Sequence, residues 1–228
     1  MVTAFYNPAP AVAGGFGSSV EAVGSDQVLI GAVDSPVATN GGAAYLFSTN
    51  GTLLTTFSNP TPAAGDYFGW SVAAVGSDRV LVGAYQEYTG ASRAGSGHLF
   101  STNGTLLNTF INPTPAAGDA FGVSVAAAGS GRVLIGALQD DTGATDSGAA
   151  YLFDLPYPPL SIARTGDSVS LSWLTAETGL ILQQSDQLGL SSPWTTTPEP
   201  VSTTARTKVV QQPIVSGIPR RFFRLRRP

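Results

Sequence analysis

One segment of the chain occurs twice. Phe47–Asp66 reads FSTNGTLLTTFSNPTPAAGD and Phe100–Asp119 reads FSTNGTLLNTFINPTPAAGD, differing only at Thr55/Asn108 and Ser58/Ile111. Each copy leads into the same phrase, Phe68-Gly69-Trp70-Ser71-Val72 and then Phe121-Gly122-Val123-Ser124-Val125. An earlier Phe16-Gly17-Ser18-Ser19-Val20 has the same form. A second marker, Gly-Ala, follows at 31–32, 83–84 and 136–137. Phe16, Phe68 and Phe121 lie 52 and 53 residues apart, and the Gly-Ala pairs keep that spacing. A fixed period of this length demands units that stack and bury each other's faces, because no single unit has a core of its own.

Each full unit offers four short strands. In the second they are Gly69–Val75, Arg79–Ala84, Gly97–Ser101 and Leu106–Phe110. Val80-Leu81-Val82 is a β-branched run suited to burial on both faces. Gly76-Ser77-Asp78 reads as a tight hairpin turn. Asn103-Gly104 supplies two residues that accept positive φ in a second turn. The chain carries 27 Gly and 16 Pro with only 11% charged residues, and no long amphipathic helical pattern interrupts the strands. Four antiparallel strands repeated at this period make a β-propeller blade. The predicted fold is therefore all-β: three four-stranded blades in a partial or open propeller, then a small β-sandwich. Ser71, Ala73 and Ala74 suit a crowded innermost strand, while Phe68 and Phe100 supply bulk between blades.

The Phe-Gly and Gly-Ala markers at this spacing resemble the FG-GAP repeat, the blade of the integrin α-subunit propeller and of many bacterial surface proteins. The resemblance covers about residues 2–153. It implies a non-catalytic extracellular or cell-surface binding and adhesion module with a protein or glycan ligand. Calcium-binding relatives carry an acidic loop between their first two strands. Here that loop is only Gly24–Gln27, Gly76–Arg79 and Gly129–Arg132, with one carboxylate or none. Calcium takes about six to eight oxygen ligands, so the family's calcium sites are not expected. No cofactor, metal or catalytic residue is expected either.

The domain plan places blades at about 16–57, 68–110 and 121–153, with residues 2–7 as a lone fourth strand whose blade is missing. The third blade loses its fourth strand where Asp154–Pro159 replaces the repeat, a Pro-rich linker that stiffens the chain. Residues 160–228 then read as a β-sandwich. Strands are expected at Leu160–Ala163, Ser168–Trp173, Leu180–Ser185, Lys208–Gln212 and Arg221–Arg226, with Trp173 and Trp194 as anchors. Val169–Trp173, Leu180–Ser185 and Trp194 resemble a fibronectin type III module. Three blades would each have to span a third of a circle, so an open arc is expected over a closed ring. Further repeats, or self-association with a second copy, would cover its flanks.

Candidate chemistry is sparse. The chain has no cysteine and one histidine, His98, at the repeat position held by Tyr45 and Tyr151. An aromatic filling a strand site is the favoured reading, so His98→Phe is expected to be nearly neutral. The loops 33–41, 85–96 and 138–147 vary most between units, and Asp140, Asp141 and Asp146 form the densest acid cluster. Solvated loop polarity is the plainer reading of that cluster, with a cation or ligand site the alternative. A structural spacer, or a propeller lectin or hydrolase working from these loops, are the other functional readings. The acidic repeats, within a net charge of -4, disfavour nucleic acid. No apolar run is long enough for a membrane-spanning helix, and no signal peptide is visible, so the surface location rests on the resemblance. The basic end, Arg220–Arg227, reads as an edge strand guarded by charge.

Overall fold

Short β-branched runs between Gly-rich turns leave the chain few options but strands, and strands are what form. The computed structural model describes residues 2–10, 14–33, 41–129, 131–155, 160–174, 180–187, 193–203, 207–213 and 221–226. Two compact units emerge, Met1–Leu155 and Pro156–Pro228. No helix occurs among the described residues.

The first unit holds three antiparallel sheets. One is β1 (Phe16–Val23), β2 (Gln27–Ala32), β3 (Ala43–Ser48) and β4 (Leu53–Ser58), paired in that order. The next is β5 (Phe68–Val75), β6 (Arg79–Ala84), β7 (Ser96–Ser101) and β8 (Leu106–Ile111). The third is β9 (Phe121–Ala127), β10 (Arg132–Ala137) and β11 (Ala149–Asp154), with no fourth strand among the described residues, as its sequence predicts. β5 packs against both β1 and β9, so the first strand of each blade is the innermost. Phe68 and Phe100 do supply bulk between blades, in one cluster with Leu29, Leu46 and Phe57 of the first. Phe57 of the first blade meets Phe100 of the second at 5.4 Å, and Phe110 meets Phe153 of the third at 5.0 Å.

One predicted feature needs correction. Residues 2–7 form no strand: they carry no sheet pairing and lie beside the first blade, where Phe5 meets Phe47 at 5.4 Å. A strand requires a partner edge, and no described strand presents one to this segment. Residues 156–159 of the expected linker lie outside the described residues, and Asp154 belongs to β11.

The second unit pairs β12 (Ser161–Thr165), β13 (Ser168–Leu174), β17 (Thr207–Pro213) and β16 (Ser202–Thr203) in one sheet. Its other sheet is β15 (Thr195–Thr196), β14 (Ile181–Ser185) and β18 (Phe222–Arg226). Leu171, Trp173 and Val210 of the first meet Leu182 and Leu225 of the second in one core, which makes the unit a small two-sheet sandwich. The two short strands at 195–196 and 202–203 escape sequence reading because two residues carry no periodicity. β18 is an edge strand, with Arg224 and Arg226 outward and Leu225 inward. Arg224 lies 4.2 Å over the Trp194 ring, which leaves Trp194 half-buried rather than a core anchor.

Candidate functional site

The repeated markers build the joint between blades. At Phe68 the β5–β6 register slips by a bulge, which turns the Gly69 carbonyl toward the preceding blade. There Ser19 Oγ donates to Gly69 O at 2.8 Å, and Ser71 Oγ repeats the bond to Gly122 O at 2.7 Å. A Cβ on Gly31 would stand 2.0 Å from Gly69 O, and one on Gly83 would stand 2.1 Å from Gly122 O. The Phe-Gly of one blade is therefore pressed against the Gly-Ala of the blade before it. Contact this close admits only glycine. Parallel bridges Gly42–Phe68 and Gly95–Phe121 complete the joints.

The variable loops at 85–96 and 138–147 lie beside the Asn-Pro-Thr-Pro segments at 59–62 and 112–115, and a polar network joins the two. In the second blade Asn59 Nδ2 donates to Asp66 Oδ2 at 2.9 Å, the Ala63 amide donates to the same oxygen at 2.6 Å, and Thr61 Oγ1 donates to Glu87. Glu87 in turn takes His98 Nε2 at 2.7 Å and the hydroxyl of Ser96. The third blade repeats the design with other residues. Asn112 Nδ2 donates to Asp119 Oδ2 at 2.7 Å and Asp140 Oδ2 at 2.8 Å, and Tyr151 donates its hydroxyl to Asp140 Oδ2 at 2.7 Å. The pair Glu87–His98 thus occupies the position of Asp140–Tyr151.

His98 fills the aromatic site as its repeat position predicts: it lies 5.6 Å from Phe68, as Tyr151 lies 5.9 Å from Phe121. The expectation of a neutral His98→Phe does not survive, however, because His98 also holds a buried carboxylate. Nor is His98 arranged for nucleophilic catalysis. Ser96 and Glu87 both meet the same nitrogen, Nε2, while Nδ1 meets Thr109 Oγ1 at 3.2 Å. A triad needs nucleophile and carboxylate on opposite ring nitrogens. Ser96, His98 and Glu87 are all buried.

The acid cluster of the third loop separates. Asp140 is buried and bonded, whereas Asp141 and Asp146 are exposed and joined only by the Asp146 amide donating to Asp141 Oδ1 at 2.7 Å. The structure therefore does not bring the three together. Among the described residues no group of three or more His, Cys, Asp or Glu could hold a metal. In the first-hairpin turn, Asp78 lies 3.5 Å from the Arg79 guanidinium.

Burial alone would push Asp140 up, but hydrogen bonds from Thr142, Tyr151 and Asn112 outweigh it and hold the carboxyl at about 2. Glu87 is likewise lowered: burial opposes, and the His98 hydrogen bond and charge, with Ser96 and Thr61, prevail. Asp66 moves upward, first by burial and then by the charge of Glu87, against the Ala63 amide and His98. A carboxyl depressed in the folded state contributes stability that is present above its unfolded value and lost as pH falls through the folded one. For Asp140 that window runs from 3.8 down to about 2. Acid unfolding followed by circular dichroism should show Asp140→Asn less stable than the parent at pH 7, with the gap closing across this window. An unchanged gap at pH 2 would remove the carboxylate from the account.

Sequence reading missed an aromatic feature of this end. Tyr67, Trp70 and Tyr85 form an aromatic cluster, with Trp70–Tyr85 at 4.8 Å, Tyr67–Tyr85 at 5.5 Å and Tyr67–Trp70 at 6.2 Å. Trp70 is 40% exposed and nearby Tyr88 71%. The same positions hold Gly15, Ser18 and Val33 in the first blade and Ala120, Val123 and Leu138 in the third. Tyr67 also sits at φ 53, where Ala120 has 56 and Gly15 has 58. A bulky residue in the left-handed region costs of order 1 kcal/mol, yet the second blade places tyrosine there. The signal was available as a departure from the repeat.

The sheets, the bulged Phe-Gly joint and the loop-bearing end define an all-β repeat module of propeller blades. Two stretches, residues 60–100 and 110–153, match the FG-GAP repeat family. The first blade lies outside these stretches but makes the same joint through Ser19 and Gly31. No curated protein matches the chain. Among the described residues, no helix is long and apolar enough to cross a membrane.

Proposed function

We propose that the chain is a non-catalytic binding module of the extracellular or cell-surface type, taking a protein or glycan ligand at the loop end of its second blade. The observation that carries this reading is the Tyr67–Trp70–Tyr85 cluster. Asp66, Glu87 and His98 at this end are spent on buried structural bonds, while Trp70 stands exposed over the half-buried Tyr67 and Tyr85. Tyrosine and tryptophan combine large apolar area with a polar edge and few rotatable bonds, so they dominate binding surfaces. The repeat scaffold holds them on strand ends rather than on a long free loop, which lowers the ordering cost of binding. Location outside the cell, adhesion and a bacterial source rest on the FG-GAP resemblance alone, and the fibronectin type III likeness of the second unit rests on Val169–Trp173, Leu180–Ser185 and Trp194.

Arrays of glycans and matrix proteins test the reading. The parent chain should be captured by a defined subset of spots, and Trp70→Ala should lose at least tenfold of that signal, equivalent to about 1.4 kcal/mol, at an unchanged melting temperature. Capture that survives Trp70→Ala would remove the cluster from the function. No capture by the parent chain would favour a spacer role.

A further inference from the structure

The two internal joints define what each blade flank seeks, and the two outer flanks carry complementary halves of one more such joint. On the trailing flank of the second blade, Leu81 and Leu99 are 0% and 1% exposed. The equivalent Leu134 and Leu152 of the third blade are 39% and 51% exposed. Where Gly83 meets the next blade's Gly122 carbonyl, Gly136 meets only atoms of Ser124 in its own blade. Where Gly95 meets Phe121, Gly148 meets only residues 137 and 138. The outer edge of β11 also lacks the fourth strand that β3 and β7 possess.

The leading flank of the first blade shows the reverse. Gly69 and Gly122 are pressed against Ala43 O and Ser96 O of the blades before them, whereas nothing lies within 4 Å of a Cβ on Gly17. Residues 2–7 meanwhile lie against the first blade, unpaired to any sheet, where a preceding blade's fourth strand would lie. Phe5 meets Phe47 at 5.4 Å just as Phe57 meets Phe100 at 5.4 Å. Thr3 Cγ2 stands 3.7 Å from a Cβ position on Gly51, as Thr55 Cγ2 stands 3.3 Å from that on Gly104. Asn7 Oδ1 takes the Ala9 amide at 3.0 Å as Asn59 Oδ1 takes the Thr61 amide at 2.9 Å. At Phe5 and Thr3 the segment thus repeats contacts that the last strand of a complete blade makes to the blade after it, and at Asn7 the local bond that follows that strand.

We infer that two copies of the chain close into a six-blade ring by strand exchange, residues 2–7 of each completing the third blade of the other. The register follows from the complete blades, where Ala43 opposes Ser58 and Gly97 opposes Phe110. Ala149 would oppose Tyr6, Ala150 would oppose Phe5 and Leu152 would oppose Thr3. Ser124 Oγ would donate to Gly17 O across the new joint, and Gly148 would bridge to Phe16. Leu134 and Leu152 would be covered as Leu81 and Leu99 are. A head-to-tail contact closes only if its rotation completes a circle, and three blades turning about 60° each bring two copies round. Six blades fall within the usual range of about four to eight. Adding the segment also removes an open sheet edge, the feature most prone to uncontrolled association. This inference is independent of the ligand proposed above.

Light scattering on the 228-residue chain should give twice the single-chain mass of 23.3 kDa. Leu134→Asp/Leu152→Asp, at positions already exposed in the single chain, should give the single-chain mass with an unchanged circular dichroism spectrum. Tyr6→Cys/Ala149→Cys reports the register, since the chain has no other cysteine and opposed antiparallel residues lie within disulfide reach. Oxidation should link two chains. A single-chain mass for the parent, an intrachain disulfide marking a three-blade ring, open polymers, or a pair that survives the double aspartate would each overturn the inference.

Discussion

Phe121→Ala should destabilise the repeat unit by about 3–5 kcal/mol, the range for truncating a fully buried aromatic. The residue is 0% exposed and lies between the second and third blades in one cluster with Leu81, Leu99, Phe110 and Ile135. It touches Tyr151 at 5.9 Å and Phe153 at 5.9 Å, and its backbone amide donates to Ala94 O of the preceding blade at 2.9 Å. Alanine keeps that amide bond but opens a cavity whose walls belong to two different sheets. Because each blade depends on its neighbour, the loss should appear as earlier unfolding of the third blade. Urea unfolding, with hydrogen exchange read separately on β9–β11 and on β1–β4, measures both parts. A loss below about 1.5 kcal/mol would mean that the joint collapses around the gap and that the Phe-Gly marker serves mainly its glycine.

That marker shows why so much of the fold was legible. Phe16, Phe68 and Phe121 recur because every joint needs the same bulk at the same height, and Gly69 recurs because a carbonyl approaches where a Cβ would stand. Such requirements are local and identical in each blade, so they print a period into the sequence. Residues 2–7 were harder. Their sequence matches a last strand, and their side chains behave as one, but a strand exists only where another backbone pairs with it. The acid cluster failed for a different reason. Asp140 and Asp141 are neighbours in the chain, yet one turns inward to Asn112 and Tyr151 while the other stays in water. Loop direction of that kind leaves no trace in composition. Glu87 was overlooked because its blade alone pairs a longer acid with a shorter base, and the equivalence with Asp140 emerges only in space. Tyr67, Trp70 and Tyr85 went unseen because attention to what the units share hides what one unit adds.

The Glu87–His98 pair should dominate the stability of the second blade's loop end. His98→Phe keeps the ring contact with Phe68 but deprives Glu87 of its imidazole partner while it remains 4% exposed. Removing one member of a buried pair costs about 3–5 kcal/mol, since an uncompensated charge stays behind. Ser96 and Thr61 still donate to Glu87, so the lower part of that range is expected. The third blade suggests the remedy. There a short acid meets a long hydroxyl-bearing aromatic, and Tyr151 reaches Asp140 at 2.7 Å, the same distance as His98 to Glu87. The combined reach is therefore preserved while the individual lengths are exchanged. Glu87→Asp and His98→Tyr should each destabilise alone, the first by leaving a gap and the second by crowding. Glu87→Asp/His98→Tyr should recover most of the loss, giving a favourable coupling above about 1 kcal/mol in a double-mutant cycle. Additive single effects would show that the two blades solve the same burial problem by unrelated means.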